Sequence, residues 1–150
     1  MLEVAVVKSA IVIHESLTGN TRRAGERIVR ELAGSGVTAA ACPITHIDYP
    51  ALAAADVVIL GSWTDGIFVV GQRPGRAGRI WMKLPAIDRK RTAVYCTYAL
   101  NPGKTLTKLG AIASGRGGDV LGGYAIRRSK IDEGAATFVQ RLLDVVPVDA

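Results

Sequence analysis

Hydrophobic and polar positions follow two rhythms along this chain, and the switches between them predict its elements. Ser9-Ala10-Ile11-Val12-Ile13-His14 is a short, nearly unbroken apolar run, the pattern of a strand covered on both faces. Over residues 20–33 the apolar positions move to helical spacing. Ala24, Ile28, Val29 and Leu32 share one side there, with Arg and Glu opposite. Gly34-Ser35-Gly36 ends that helix. Residues 37–43 read as a second strand, 49–55 as a short helix after a polar, proline-containing segment, and 56–61 as a third strand. Beyond a glycine-rich loop, Ala77, Ile80, Trp81 and Leu84 mark another helix, and residues 91–96 a fourth strand. Leu106, Leu109, Ile112 and Ala113 give the next helix, and 118–126 the fifth strand. The last helix, over 131–145, buries Ile131, Ala135, Phe138, Val139, Leu142 and Leu143. Ser129 and Asp132 before it have the spacing of a capping box.

Five buried strands alternating with helices imply one doubly wound α/β domain, a parallel sheet with right-handed crossovers. No repeat, low-complexity tract or linker divides the 150 residues. Ligands of such sheets bind beyond the carboxyl ends of the strands, where the strand order reverses. Attention therefore falls on three loops, at 15–21, 62–75 and 97–103.

Composition narrows the class. The chain is 49% hydrophobic and 21% charged, as expected of a globular protein with a sizeable core. No apolar run approaches the roughly 18–20 residues that cross a bilayer. Glu3 and Lys8 interrupt the apolar stretch in residues 1–13, and no small-residue cleavage site follows, so no secretory signal is read there. The expectation is a cytoplasmic protein, off the membrane, with Cys42 and Cys96 as reduced thiols. A net charge of +6 points to acidic partners. The cations are scattered, without a dense tail or interleaved aromatics, which speaks against nucleic acid.

Ser16-Leu17-Thr18-Gly19-Asn20-Thr21 sits between the first strand and the first helix. A phosphate suits that place, because the first helical N–H groups have no intrahelical partner and carry the positive end of the dipole. The hydroxyls of Ser16, Thr18 and Thr21 and the Asn20 amide add polar groups, and Gly19 lets the backbone come close. The alternative is a plain hydroxyl-rich helix cap. Arg22 and Arg23 oppose the dipole in the first turn, a conflict that a bound anion would relieve. Other signatures fail. Gly103-Lys104-Thr105 lacks the earlier glycine of a Walker loop, no G-x-G-x-x-G follows the first strand, and the third strand ends in Gly61-Ser62 rather than an aspartate. His14 and His46 are isolated, with His14 read as structural. No acid–base dyad or nucleophile with its base can be assembled, so no catalytic residue is assigned.

His14-Glu15-Ser16-Leu17-Thr18-Gly19-Asn20-Thr21 resembles the phosphate signature of flavodoxins, a Ser/Thr-x-Thr-Gly-x-Thr loop after the first strand. It matches at Ser16, Thr18, Gly19 and Thr21, and the element pattern is similar over the whole chain, at the length of the short-chain subgroup. The resemblance implies a three-layer α/β/α fold with a five-stranded parallel sheet in the order 2-1-3-4-5. It implies flavin mononucleotide (FMN) as cofactor, held by residues 16–21. In the second loop, Ser62, Trp63, Thr64, Asp65 and Gly66 would face the flavin, with Trp63 stacked on the ring and Gly66 as the peptide that turns with redox state. In the third, Thr97, Tyr98, Ala99, Asn101 and Gly103 would, with Tyr98 as second stacking aromatic and Tyr95 as its rival.

The function so implied is electron carriage between a reductase and an acceptor. An FMN-dependent oxidoreductase acting on a small molecule such as a quinone, or a flavin-free binding module, are the alternatives. The chain departs from the family in charge. Acidic residues usually surround the flavin and disfavour its reduced anion, whereas Asp65 is the only acid in the two ring-facing loops. Redox partners with acidic docking surfaces are therefore expected.

Overall fold

A computed structural model describes residues 6–67, 70–146 and 148. Its strands are β1 (Ser9–His14), β2 (Thr38–Pro43), β3 (Val57–Ile67), β4 (Val70–Pro74), β5 (Arg91–Tyr98) and β6 (Asp119–Arg127). Its helices are α1 (Asn20–Gly34), α2 (Tyr49–Ala54), α3 (Ala77–Lys83), α4 (Thr105–Gly115) and α5 (Ile131–Val145). Five strands pair in parallel in the order β2-β1-β3-β5-β6, and β4 pairs antiparallel with β3. Counting only the five parallel strands, this is the order 2-1-3-4-5, with the reversal between β1 and β3.

Strand alternation sorts the core into two layers. Val12 and Ile59 face α1 and α5 and pack with Ala24, Ile28, Tyr95 and Phe138. Ile11, Ile13, Val58 and Leu60 face the other way and pack with Ile80, Leu84 and Leu109. Cys42 and Cys96 are buried free thiols. Among the described residues, no helix is long and apolar enough to cross a membrane.

Four details depart from the sequence expectations. The loop expected over 62–75 is largely sheet: β3 continues to Ile67 and β4 folds back on it, with Thr64 opposite Pro74 and Asp65 opposite Arg73. Trp, Thr and Ile favour this extended backbone, while the glycines suggest a loop. Gly66 accommodates a register shift at φ 155°. Phe68 and Val69 of that segment lie outside the described residues. Second, β6 is an edge strand and largely exposed, so it is not covered on both faces. Third, the N-cap of α5 is Lys130 with no side-chain cap, so the Ser129–Asp132 capping box does not form. Fourth, Trp81 is exposed on α3 beneath the Arg116 guanidinium.

Candidate functional site

The switch point carries a narrow cleft of about 150 Å3. One wall is the loop after β1, through Ser16, Leu17, Thr18, Asn20 and Thr21. The other comes from the carboxyl ends of β3 and β5, through Trp63, Thr64, Thr97, Tyr98 and Ala99. Arg128, just past β6, completes the lining.

The loop turns on Gly19, whose left-handed φ of 97° starts α1. Ser16 Oγ closes the turn by accepting from the N–H groups of Gly19 (3.1 Å) and Arg22 (3.4 Å). Among the described residues, no hydrogen-bond partner meets the N–H groups of Leu17, Thr18, Asn20 or Thr21. A helix start with free donors and no acidic residue in its first turn offers donors that an anion can accept from. The Asn20 amide donates to Thr18 Oγ1 at 3.4 Å, and the Arg23 guanidinium donates to Asn20 Oδ1.

The six loop residues do not do the same work. The Thr21 hydroxyl is buried and bonded to the Thr97 hydroxyl at 2.9 Å, tying α1 to β5. Tyr95, fully buried, donates its phenol to the Thr21 carbonyl at 2.8 Å. Burial drives its ionisation far upward, so it stays a neutral donor. Tyr95 is thus a structural strut and not a rival to Tyr98. Tyr98 lines the cleft with Arg127 over its ring, 5.4 Å from the centroid.

Trp63 is half-buried. Its indole rests on Gly75, where a Cβ would lie 2.0 Å from the ring, and the Arg76 guanidinium stands over it at 5.5 Å. Behind it, Glu15 is 3% exposed and receives both Arg79 (2.6 and 2.7 Å) and Arg76 (3.2 Å). His14 is buried beside it, with no hydrogen bond to Nδ1. Burial holds its imidazole below the ordinary 6.5, and Arg22 adds to the effect against Glu26 and Glu15. Burial also pushes the Cys96 thiol up to about 11, which leaves it inert at neutral pH.

Ten of the sixteen residues singled out in the sequence therefore meet in one cleft. Gly19 shapes it from behind, and Ser62 is buried with its hydroxyl donating to the Gly75 carbonyl at 2.9 Å. Asp65 and Gly66 stand on the β3–β4 hairpin, Asp65 paired with Arg73 at 3.5 Å. Asn101 accepts from the Gly103 N–H, and Gly103 packs against Gln72, so these two brace the third loop rather than line the cleft. Sequence reasoning missed Arg128 and the Glu15 cluster. The one available signal was an acid directly before the phosphate-type loop.

No family model matches the chain, and no curated protein matches it. Solved structures do. A cysteine-to-serine variant of the flavodoxin from Pseudomonas aeruginosa superposes with a TM-score of 0.69 at 15% identity, over 91% of this chain and 97% of that one. Oxidised flavodoxin 2 from Bacillus cereus gives 0.67 at 22%, over 89% and 99%. The rubredoxin oxygen:oxidoreductase of Desulfovibrio gigas gives 0.62 at 15%, over 93% of this chain and 37% of that larger one. The chain has a flavodoxin-like fold.

Proposed function

We propose that this chain binds FMN in the cleft at the β1/β3 switch point and carries electrons between a reductase and an acceptor. The observation that carries the reading is that one cleft joins the unpaired N–H groups of residues 17, 18, 20 and 21 to two aromatic side chains, Trp63 and Tyr98. Phosphate would be held by those N–H groups, by the Thr18 hydroxyl and by the guanidinium of Arg128. Trp63 and Tyr98 would hold the ring by stacking and dispersion, and backbone of 97–99 would meet its polar edge. When bound, FMN supplies one- and two-electron transfer, which no side chain here offers.

The cleft is smaller than the roughly 300–1000 Å3 of ordinary small-molecule pockets. That suits a ligand gripped at its phosphate end with the ring at the rim, open to a partner. The fingerprint of a dinucleotide site is absent from the loop after β1, which favours FMN over FAD. Arg128 lines the cleft and Arg76 and Arg127 cover its aromatic walls, which favours partners with acidic docking faces.

An absorbance spectrum of the purified protein, before and after adding FMN, tests the reading. Perturbed flavin bands and saturable uptake are expected, and acid release followed by chromatography should yield FMN. Recovery of FAD, or no uptake of either flavin, would overturn it.

A further inference from the structure

We infer that Glu15 and Arg76 are positioning residues that couple the phosphate-type loop to Trp63, so that the anion end and the ring end of the cleft are set by one ion cluster centred on the buried Glu15 carboxylate. The inference rests on the FMN reading for its consequence but not for its geometry.

Glu15 has every mark of a structural anchor placed where a site needs one. Its N–H donates to the Gly61 carbonyl at 2.9 Å, fixing the last turn of backbone before Ser16. Its carboxylate is almost fully buried, and a buried carboxylate is tolerated only with its charge paired and its lone pairs used. Arg79 supplies a two-pronged pair to both oxygens, and Arg76 adds a third bond to Oε1. Two guanidinium groups on one carboxylate leave a net positive charge beside the cleft.

Arg79 alone would satisfy Glu15. Arg76 is the informative member, because it is held in a conformation it would not choose. Its backbone is left-handed, φ 50° and ψ 44°, a region that favours glycine. Strain of that kind persists where surrounding contacts over-determine it. The contacts are visible: the Arg76 guanidinium donates to Glu15 through Nη1 and also covers Trp63. Gly75, its neighbour, lies under the indole, donates its N–H to the Trp63 carbonyl at 2.8 Å and accepts from Ser62 Oγ. Trp63 is thus set by the 75–76 turn, and that turn is held to residue 15 through an ion pair spanning 61 positions.

Two consequences follow from the geometry. Removing either charge frees the indole even without flavin, and the Arg76 charge over Trp63 would favour reduction of a flavin held against that indole.

The test uses Trp81→Phe as background, which leaves Trp63 as the only tryptophan. Acrylamide quenching and near-UV circular dichroism of the apoprotein are measured for Glu15→Gln, Arg76→Gln and Arg76→Gly. Quenching should rise about twofold or more in all three, the ratio a cation–π contact of this strength sustains. Arg76→Gly relieves the left-handed backbone and should not lower the unfolding midpoint, which a merely structural role would require. Should Glu15→Gln not fold, Arg76→Gln carries the same expectation. Unchanged quenching in either Arg76 variant, or in a folded Glu15→Gln protein, overturns the coupling. In the FMN-loaded proteins the flavin potential should fall in Arg76→Gln, and FMN should bind more weakly in Glu15→Gln. Freed tryptophan with unaltered FMN affinity and potential would overturn the inference while leaving FMN binding intact. Failure of every protein to take up FMN would sink the functional proposal alone, since the apoprotein measurement stands without it.

Discussion

Side chains that look equivalent in the sequence separate once their partners are known. Thr18 and Thr21 both sit in the phosphate-type loop, but Thr21 spends its hydroxyl on Thr97 inside the protein while Thr18 lines the cleft. Thr21→Val leaves a buried hydroxyl unpaired and should destabilise the apoprotein by about 1–3 kcal/mol in denaturant titrations. Thr18→Val should leave stability unchanged and weaken FMN about tenfold or more, since a hydrogen bond to a charged group is worth roughly 1.5–3 kcal/mol. Riboflavin, without a phosphate, should bind the Thr18 variant and the parent alike. Equal losses for both flavins would mark the loop as a cap and not a phosphate site.

His14 gives a second residue-scale expectation. Its folded-state pKa lies below 6.5, so below that pH the unfolded chain holds a proton the folded one releases. Stability should therefore fall as pH drops from about 6.5 toward the folded value. A thermal midpoint that does not decline between about pH 7 and pH 5 would contradict the assignment, and His14→Gln should flatten the decline. At this scale the sequence was a partial guide. Hydroxyls and glycines near the first helix were legible from spacing. The ion pairs of Glu15 with Arg76 and Arg79 span 61 and 64 positions and exist only through tertiary packing.

Elements were easier to read than their partners. The apolar runs at 9–14 and 91–96 stand out because both faces of the inner strands are covered; alternation with helices implied the parallel sheet, and its order came with the flavodoxin resemblance. The β3–β4 hairpin escaped because Gly61, Gly66, Gly71 and Gly75 imitate loop composition, and because the inward positions of β4 are Gln72 and Pro74, which carry no apolar strand signal. Gly61 and Gly75 answer to contacts instead. Gly61 lies against the ring of Tyr95, where a Cβ would fall 2.1 Å from Cζ and 2.2 Å from Cε1. Both residues are on the backbone of adjacent inner strands and neither can retreat. Gly61→Ala should destabilise the protein at or beyond the upper end of the roughly 1–3 kcal/mol usual for overpacking. Adding Tyr95→Phe should restore little, because the offending ring atoms remain. Full restoration would locate the clash at the hydroxyl and disprove the packing argument.

At the scale of the molecule, charge departs from the acidic surroundings that the flavodoxin resemblance implies. The net charge is +6, and the Asp65 carboxylate is paired with Arg73 rather than left to oppose negative charge on a flavin. Reduction that leaves a negative charge at the ring edge is eased by nearby guanidinium groups, so the bound flavin should be reduced at less negative potential than in acidic flavodoxins. The same field acts on reagents in solution. Exposed charges are felt over roughly 8 Å at about 0.15 M ionic strength and over longer distances in dilute buffer. FMN-loaded, reduced protein should therefore pass electrons to ferricyanide, an anion, at a rate that falls as salt is raised. A hexaammine cation such as that of ruthenium should show the reverse trend, because salt screens its repulsion from Arg76, Arg127 and Arg128. The pair of reagents separates local from global charge when repeated in Arg127→Gln with Arg128→Gln. If the salt slope with ferricyanide is set at the cleft, this double change should remove much of it while lowering the net charge only from +6 to +4 (two cations removed). A slope that shrinks merely in proportion to net charge would place the steering field on the whole surface, and partners would then need no acidic face matched to this cleft.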